Sequence, residues 1–459
     1  MAGPRVIIIG AGPAGVRAAE TLVAAGLVPT VIDEGQRAGG QVYRRPPAGF
    51  TRPAAQVYGA DAAKAQALHA RFDALAIDYR PETLAWAVRD QTLHIARDGV
   101  AEALPFDALI LATGATDRLA PVAGWTLPGC YSLGGAQIAL KAQACSIGAR
   151  PVFVGTGPLL YLVAWQYVKA GVAVAAVLDT APRGAQLRAL PDLMLRPGLL
   201  ARGLAMQVRL RAAGVTMAQG VTPLAIAGAH EVTGLRYRTA AGVERTIAGD
   251  AVAMGFHLRP ETQLADLAGC PFVFDEALQQ WRPEADRDGR TPRAGVYVAG
   301  DGLRILGADA AEVSGQLAAR AVMADAGIAS NARETARLYT RKARLERFAR
   351  GLATAFPWPA QMAAATPDAV MVCRCEGITA GDLRDVAGDK NAPELNRAKA
   401  LSRIGMGRCQ GRFCGPAAAE ILAAARGVPL RDVGRLRSAA PVKPLPMATR
   451  TAPTTEPDA

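Results

Sequence analysis

Short apolar runs rich in β-branched residues recur along this chain, and each stops on a glycine or an acid. Residues 6–9 end at Gly10, 28–32 at Asp33, 107–112 at Thr113-Gly114, 151–154 at Gly155, 172–178 at Asp179 and 295–299 at Gly300. Runs this short, apolar on both faces of the pleat, are the strands of a buried parallel sheet. Residues 16–25 and about 158–170 read as helix instead. Strand, glycine turn, helix and strand thus occur twice, which predicts an α/β fold with two such units.

The first unit carries Gly10-Ala-Gly12-Pro13-Ala14-Gly15, a G-x-G-x-x-G in the strand–helix setting that binds a dinucleotide. Gly10 makes the tight turn, Gly12 lets the backbone approach a pyrophosphate, and Gly15 lets helix and strand pack closely. Pro13 and Ala14 complete the loop before the helix, whose free N–H groups face the phosphates. Asp33 is placed to accept hydrogen bonds from a ribose, with Glu34 next to it as the fallback.

The second unit, Gly155-Thr-Gly157-Pro158-Leu-Leu160, departs from that fingerprint. Leu160 stands where the third glycine belongs, which puts close packing and a normal pyrophosphate seat in question. Two readings stay open. One is a nicotinamide site, where Asp179 on a ribose would favour NAD(H) over NADP(H). The other is a relic that holds another nucleotide, such as ATP or ADP, or nothing.

Charge changes little. Lys and Arg outnumber Asp and Glu by 52 to 40, giving +12. No nucleic-acid motif accompanies that excess, so the bland reading is an Arg-rich surface and the sharper one an acidic partner. No run approaches the roughly 20 apolar residues of a membrane span. The N-terminal run is too short for a secretion signal and is needed as a strand, which predicts a cytoplasmic protein. The four histidines, His69, His94, His230 and His257, read as structural or exposed.

Of seven cysteines, Cys130, Cys145 and Cys270 stand alone. Cys373-Arg-Cys375 and Cys409-Gln-Gly-Arg-Phe-Cys414 crowd one C-terminal segment, where four thiolates in a small module predict a metal site. C-x-C with C-x-x-x-x-C suits a 2Fe–2S cluster better than zinc, which favours C-x-x-C knuckles and stays an alternative. A redox disulfide between Cys409 and Cys414 is a third reading. Arg374, Arg408 and Arg412 would offset the cluster's negative charge.

Several stretches resemble those of two-dinucleotide flavoproteins. Arg37-Ala-Gly-Gly40-Gln41 resembles the segment that wraps the flavin there; this chain lacks the C-x-x-x-x-C dithiol of the disulfide reductases. Ala112-Thr113-Gly114 resembles the A-T-G element closing the first flavin half. Gly300-Asp301 resembles the motif whose Asp binds a ribityl hydroxyl, and Gly307-Ala308 opens the helix that follows. Those motifs imply FAD held by two separated pieces of chain. The domains read as residues 1–120 with 288–330 (FAD), 121–287 (second nucleotide fold), 331–368 (linker helix and loop), 369–427 (cluster module) and 428–459 (tail). The tail reads as disordered from Pro441. Residues 60–75 and 134–145 read as helices, 77–106 as a β-meander, 185–213 as one amphipathic helix and 45–53 as a loop.

Cys373-Arg-Cys-Glu, Arg403-Ile-Gly-Met-Gly407 and Cys409-Gln-Gly-Arg-Phe-Cys-Gly together resemble the BFD-like, ferredoxin-like module of one flavoprotein group. These are the FAD-binding α subunits of hydrogen cyanide synthase, opine oxidase and dye-linked proline or hydroxyproline dehydrogenases. The resemblance covers residues 6 to about 426, and the G-x-G-P-L-L loop is shared with the group. It implies a glutathione-reductase-type fold, FAD, and a 2Fe–2S cluster on the four cysteines. It also implies an FAD-containing β subunit that oxidises an amino-acid-type substrate, with a small ferredoxin-like subunit joining as a further partner. On that reading the chain relays electrons to an acceptor. The alternatives are an NAD(P)H-dependent reductase and a non-catalytic assembly subunit.

Overall fold

The computed structural model describes residues 3–47, 49 and 52–451. Its first sheet is wholly parallel, in the order Val296–Val298, Ala108–Leu111, Val6–Ile9, Thr30–Ile32, Asp78–Arg80. Alternation along each strand splits its apolar residues between two cores. Val6, Ile8, Ala108, Ile110 and Tyr297 meet the helices Pro13–Val23 and Ala308–Asp325. Ile7, Ile9, Leu109, Leu111, Val296 and Val298 meet the antiparallel meander Leu84–Arg89, Thr92–Arg97, Val100–Pro105.

A second five-stranded parallel sheet follows the same plan, in the order Thr216–Gln219, Ala176–Asp179, Pro151–Thr156, Ala251–Phe256, Cys130–Ser132. Helix Pro158–Lys169 covers one face, and residues from the three-stranded sheet Thr222–Ala227, Gly234–Arg238, Glu244–Ala248 cover the other. Leu258–Pro260 pairs antiparallel with Ala115–Asp117, so two adjacent strands carry the chain between the halves.

Several expectations need correction. Helix Gln263–Leu267 contributes Leu264 and Ala265 to the first sheet's core, so residues assigned to the second domain belong with the first. The single helix expected over 185–213 is three, Arg183–Arg188, Leu190–Leu193 and Pro197–Ala212, because Pro191 and Pro197 each open a new helix. The 60–75 and 134–145 helices are Ala62–Asp73 and Leu133–Ala142, and the 45–53 loop, with Ala48, Phe50 and Thr51 outside the described residues, leads into helix Ala54–Tyr58. The tail is ordered along the meander as far as Thr451. Val442 is buried there, its N–H donating to the Trp86 carbonyl (3.0 Å), and Arg450–Thr451 adds a parallel strand to Val100–Pro105. Residues 452–459 lie outside the described residues.

The C-terminal module packs helices Ala380–Gly388, Leu395–Ser402 and Cys414–Arg426 around a core of its own, with the hairpin Met371–Cys373/Ile378–Thr379. Helix Ala332–Ala355 bridges the halves: Leu345 packs with Leu317 of the first, Phe348 and Ala355 with the core of the second.

Candidate functional site

The glycines of the first turn are fixed by what surrounds them. A Cβ on Gly10 (φ +102°) would lie 2.3 Å from the Ala112 carbonyl oxygen, and one on Gly15 only 1.8 Å from that of Gly10. Helix Pro13–Val23 therefore begins directly against the strand, with Pro13 in its first turn as the missing N–H permits. Gly40 (φ +59°) folds back onto this turn, its would-be Cβ 2.9 Å from the Cα of Gly12. Two backbones thus meet here with no side chain between them, a cradle that a Cβ would fill. Gln41, alongside, is exposed and accepts from Arg44 (2.9 Å).

Asp33 faces this turn. Its Oδ2 accepts from the Ala11 N–H (2.6 Å) and its Oδ1 from the Gly35 N–H (2.6 Å), while burial raises its pKa. Its first task is to fasten the glycine loop. The fallback Glu34 is exposed and paired with Lys443 of the tail.

From the other end of the chain, Gly300 (φ +64°) sits on Ala14, and the Ser314 hydroxyl accepts its N–H (3.0 Å). Gly315 brings the backbone of helix Ala308–Asp325 onto Ala14, with a would-be Cβ 2.0 Å from its oxygen. Asp301 Oδ1 accepts from the Leu306 (3.0 Å) and Gly307 (3.3 Å) N–H groups, and Gly307 caps the helix opened by Ala308. Gly302 lies against Thr113 and Gly114. The turns at Gly10, Gly40, Thr113-Gly114 and Gly300 thus surround one place, with two helix N-termini directed to it.

The second unit repeats the backbone but not the close glycine packing or the open acid. Gly155 (φ +152°) lies against Gly255 of the next strand, and Gly157 (φ +107°) precedes Pro158 at the helix start. Leu160 is fully buried beside Phe153 and Tyr167, so helix and strand pack through a side chain. Asp179 is wholly buried: Oδ2 accepts from the Tyr161 hydroxyl (2.7 Å) and Oδ1 from the Ala181 N–H (2.8 Å). Burial pushes it up to about 6. The expectation that Asp179 could meet a ribose is corrected, since Tyr161 covers it.

In the C-terminal module the four cysteine side chains come together. Cys414 lies beside both Cys373 and Cys409, and Cys409 beside Cys375. The neighbouring thiols favour the thiolate at Cys373 and Cys409 and the thiol at Cys414. Backbone N–H groups of Gly405, Glu376 and Cys375 point at the Cys373 sulfur, and those of Phe413 and Gly411 at Cys409. Cys414 is also the first residue of a 13-residue helix, whose positive end favours a thiolate. A Cβ on Gly407 would lie 2.1 Å from that of Cys375. Among the described residues no three such groups stand close enough to hold a single ion. The donor set, four convergent thiols met by amide N–H groups, fits a 2Fe–2S cluster, whose thiolates spread over two irons.

The arginines differ from expectation. Arg412 is buried and paired, its Nε 2.8 Å from Glu261 Oε2 and its guanidinium donating to the Val442 carbonyl (2.7 Å). Arg374 lies over Trp125 (5.8 Å to the ring centre), and Arg408 is exposed. Arg259, which the sequence did not single out, is a half-buried cation near Cys409 and Cys414. Glu261 ties the two centres: its N–H donates to the Gly114 carbonyl (2.9 Å), its carbonyl accepts from Thr113 Oγ1 (2.6 Å), and its carboxylate holds Arg412. No local pattern marks Glu261, because its partners are distant in sequence.

Fold and site together define a two-dinucleotide-fold oxidoreductase with a C-terminal iron–sulfur module. Residues 4–324 match the pyridine nucleotide-disulphide oxidoreductase family, and residues 371–424 the BFD-like 2Fe-2S binding domain. The chain belongs to that oxidoreductase family, with FAD and a 2Fe–2S cluster as its cofactors. It is 41% identical to an opine oxidase subunit from Agrobacterium tumefaciens (strain Ach5), over 96% of this chain and 90% of that one. It is 31% identical to hydrogen cyanide synthase subunit HcnB of Pseudomonas aeruginosa, over 97% of each. Its fold is similar to that of the L-proline dehydrogenase from P. horikoshii, with a TM-score of 0.69 at 19% identity, over 97% of this chain and 79% of that one. Among the described residues no helix is long and apolar enough to cross a membrane.

Proposed function

We propose that this chain is the FAD- and 2Fe–2S-carrying subunit of a multi-subunit dehydrogenase for amino acids or opines, acting on CH–NH donors. The observation that carries this reading is the Thr113/Gly114–Glu261–Arg412 connection, which joins the flavin-side turn to the Cys409 loop within one chain. Bound FAD would supply two-electron acceptance, and the cluster one-electron transfer.

The chain's own residues prepare both places. Gly10, Gly12, Pro13, Ala14 and Gly15 would seat the pyrophosphate against the helix N-terminus. Asp33 would hold that turn and offer its free lone pairs to the ribose. Gly40, Gln41, Thr113 and Gly114 would border the flavin, with Gly300, Asp301, Gly307 and Ala308 on its other side. Cys373, Cys375, Cys409 and Cys414 would hold the cluster. Gly155, Gly157 and Pro158 leave a helix N-terminus that an NAD(P) or ATP/ADP phosphate could meet, without help from Asp179.

The relatives named as subunits support a partner, which we take to be an FAD-containing β subunit that oxidises the substrate, with a small ferredoxin-like subunit beside it. Leu187, Met194, Leu204 and Val208 are all more than half exposed in one short stretch, interleaved with arginines. Such a surface suits burial against an acidic partner face. We take the assembly to be cytoplasmic, in keeping with seven free cysteines.

The test is an anaerobic titration of the cluster-loaded protein with NADH and then NADPH, followed on the visible flavin band. No bleaching is expected, with full reduction by dithionite. Rapid bleaching would make the chain a reductase in its own right. Cys409→Ser should lose the cluster signals and keep FAD; simultaneous loss of both would break the assignment of separate sites.

A further inference from the structure

A cavity of about 110 Å³ lies between the Phe272–Asp275/Gln280–Pro283 hairpin and the cluster loop. Gln410 and Gly411, from the loop between Cys409 and Cys414, form part of its wall. Around it stand buried polar atoms that no protein group satisfies: Arg118 Nε, Arg259 Nε, Gln263 Oε1, Gln280 Oε1 and Trp281 Nε1. Gln263 is only 6% exposed, and its orientation is fixed because its Nε2 donates to the Gln410 carbonyl (2.8 Å). Buried polar atoms are rarely left unpaired, and five around one cavity form a set.

Charge sharpens the picture. The other guanidinium groups here are answered: Arg118 by Glu420 at 3.0 Å, Arg435 by Asp266 at 2.6 Å. Arg259 has no ion pair among the described residues, and the nearby Glu261 is taken by Arg412. Half-buried Arg259 sits beside the cluster thiolates, yet its buried Nε has no hydrogen-bond partner and is a donor free to meet an anion. Arg118 already has Glu420; of the other donors, Arg259 and Trp281 match a carboxylate, and the two amide oxygens match a protonated amine. Phe272, Phe274 and Leu436 supply an apolar wall.

We propose that this cavity binds a small zwitterionic amino acid. Its carboxylate faces Arg259, its ammonium faces Gln263 and Gln280, and its side chain lies on the apolar wall. Bound there, it touches the loop that carries Cys409 and Cys414. The site is a ligand pocket of this chain and does not depend on which subunit performs the oxidation.

The experiment is calorimetric titration of the purified holoprotein, without partner subunits, with glycine, L-alanine and L-proline. Acetate and methylammonium serve as half-ligands. Saturable binding of at least one amino acid, tighter than either half-ligand, is expected. Arg259→Met should weaken it roughly tenfold or more, as the loss of a charge-assisted contact implies. Trp281→Phe, in the hairpin and gentler on the fold, should weaken it several-fold. Binding should also perturb the cluster's visible circular dichroism in the wild type. Absence of saturable binding, binding unchanged in both variants, or acetate as tight as any amino acid would overturn the proposal. Neither variant tests the flavin, so failure here leaves the relay reading intact.

Discussion

Gly15 and Leu160 hold the same place in two copies of one plan. Each follows a buried parallel strand and a glycine turn, and each lies in the first turns of the next helix. At Gly15 a side chain would strike the Gly10 carbonyl; at Leu160 a side chain fills the space and joins Phe153 and Tyr167. The acids diverge in the same way. Asp33 holds the backbone of the turn, whereas Asp179 is closed off by Tyr161. A sheet therefore survives the loss of its third glycine and of an open acid, because the strands are held by their own cores.

The sharpest way to break that comparison is Gly15→Val. The side chain has no room, so overpacking should cost about 3 kcal/mol or more, with loss of bound flavin. Flavin absorbance per protein and the thermal midpoint report both. Leu160→Gly, which would restore the motif in the second unit, should instead leave the flavin bound. It should destabilise the chain by about 3–5 kcal/mol, since it empties a core position and adds glycine to a helix. It should still gain no reduction by NADH, because Tyr161 continues to cover Asp179.

A smaller effect separates the acids themselves. The folded pKa of Asp179, about 6, lies above its ordinary 3.8, so the folded state binds this proton more tightly. Its contribution therefore becomes more favourable as pH falls from about 6 towards about 4, and it is a cost where the group is ionised. Asp179→Asn should flatten that part of the stability–pH curve by up to ~3 kcal/mol. Denaturant unfolding across this range, wild type against variant, shows it; equal slopes would mean that Asp179 titrates normally.

Much of this was legible because glycines and β-branched runs are local signals. Gly10, Gly15, Gly40 and Gly300 are each demanded by a backbone or a small residue close by, and a glycine at a strand end announces that demand. The cysteine spacings announced the module in the same way. What stayed hidden was non-local. Whether Asp179 is open or covered depends on Tyr161 and its packing, not on its place at a strand end. Arg412 reads as a neutraliser of thiolates, yet Glu261, far away in sequence, holds it. Residues 441–451 carry prolines and threonines that suggest disorder, yet Val442 finds a buried seat on the meander.

That seat bears on how the protein is made. The first sheet takes strands from Val6–Ile9 and from Val296–Val298, and its flanking meander takes its outer strand from Arg450–Thr451. A chain emerging from the ribosome N-terminus first therefore holds an unfinished first sheet until Val296–Val298 appears, and an unfinished meander until Arg450–Thr451 does. The second nucleotide fold, continuous in sequence, can close earlier. A ribosome that stops before Thr451 would release a chain whose meander edge is exposed to pairing with other chains.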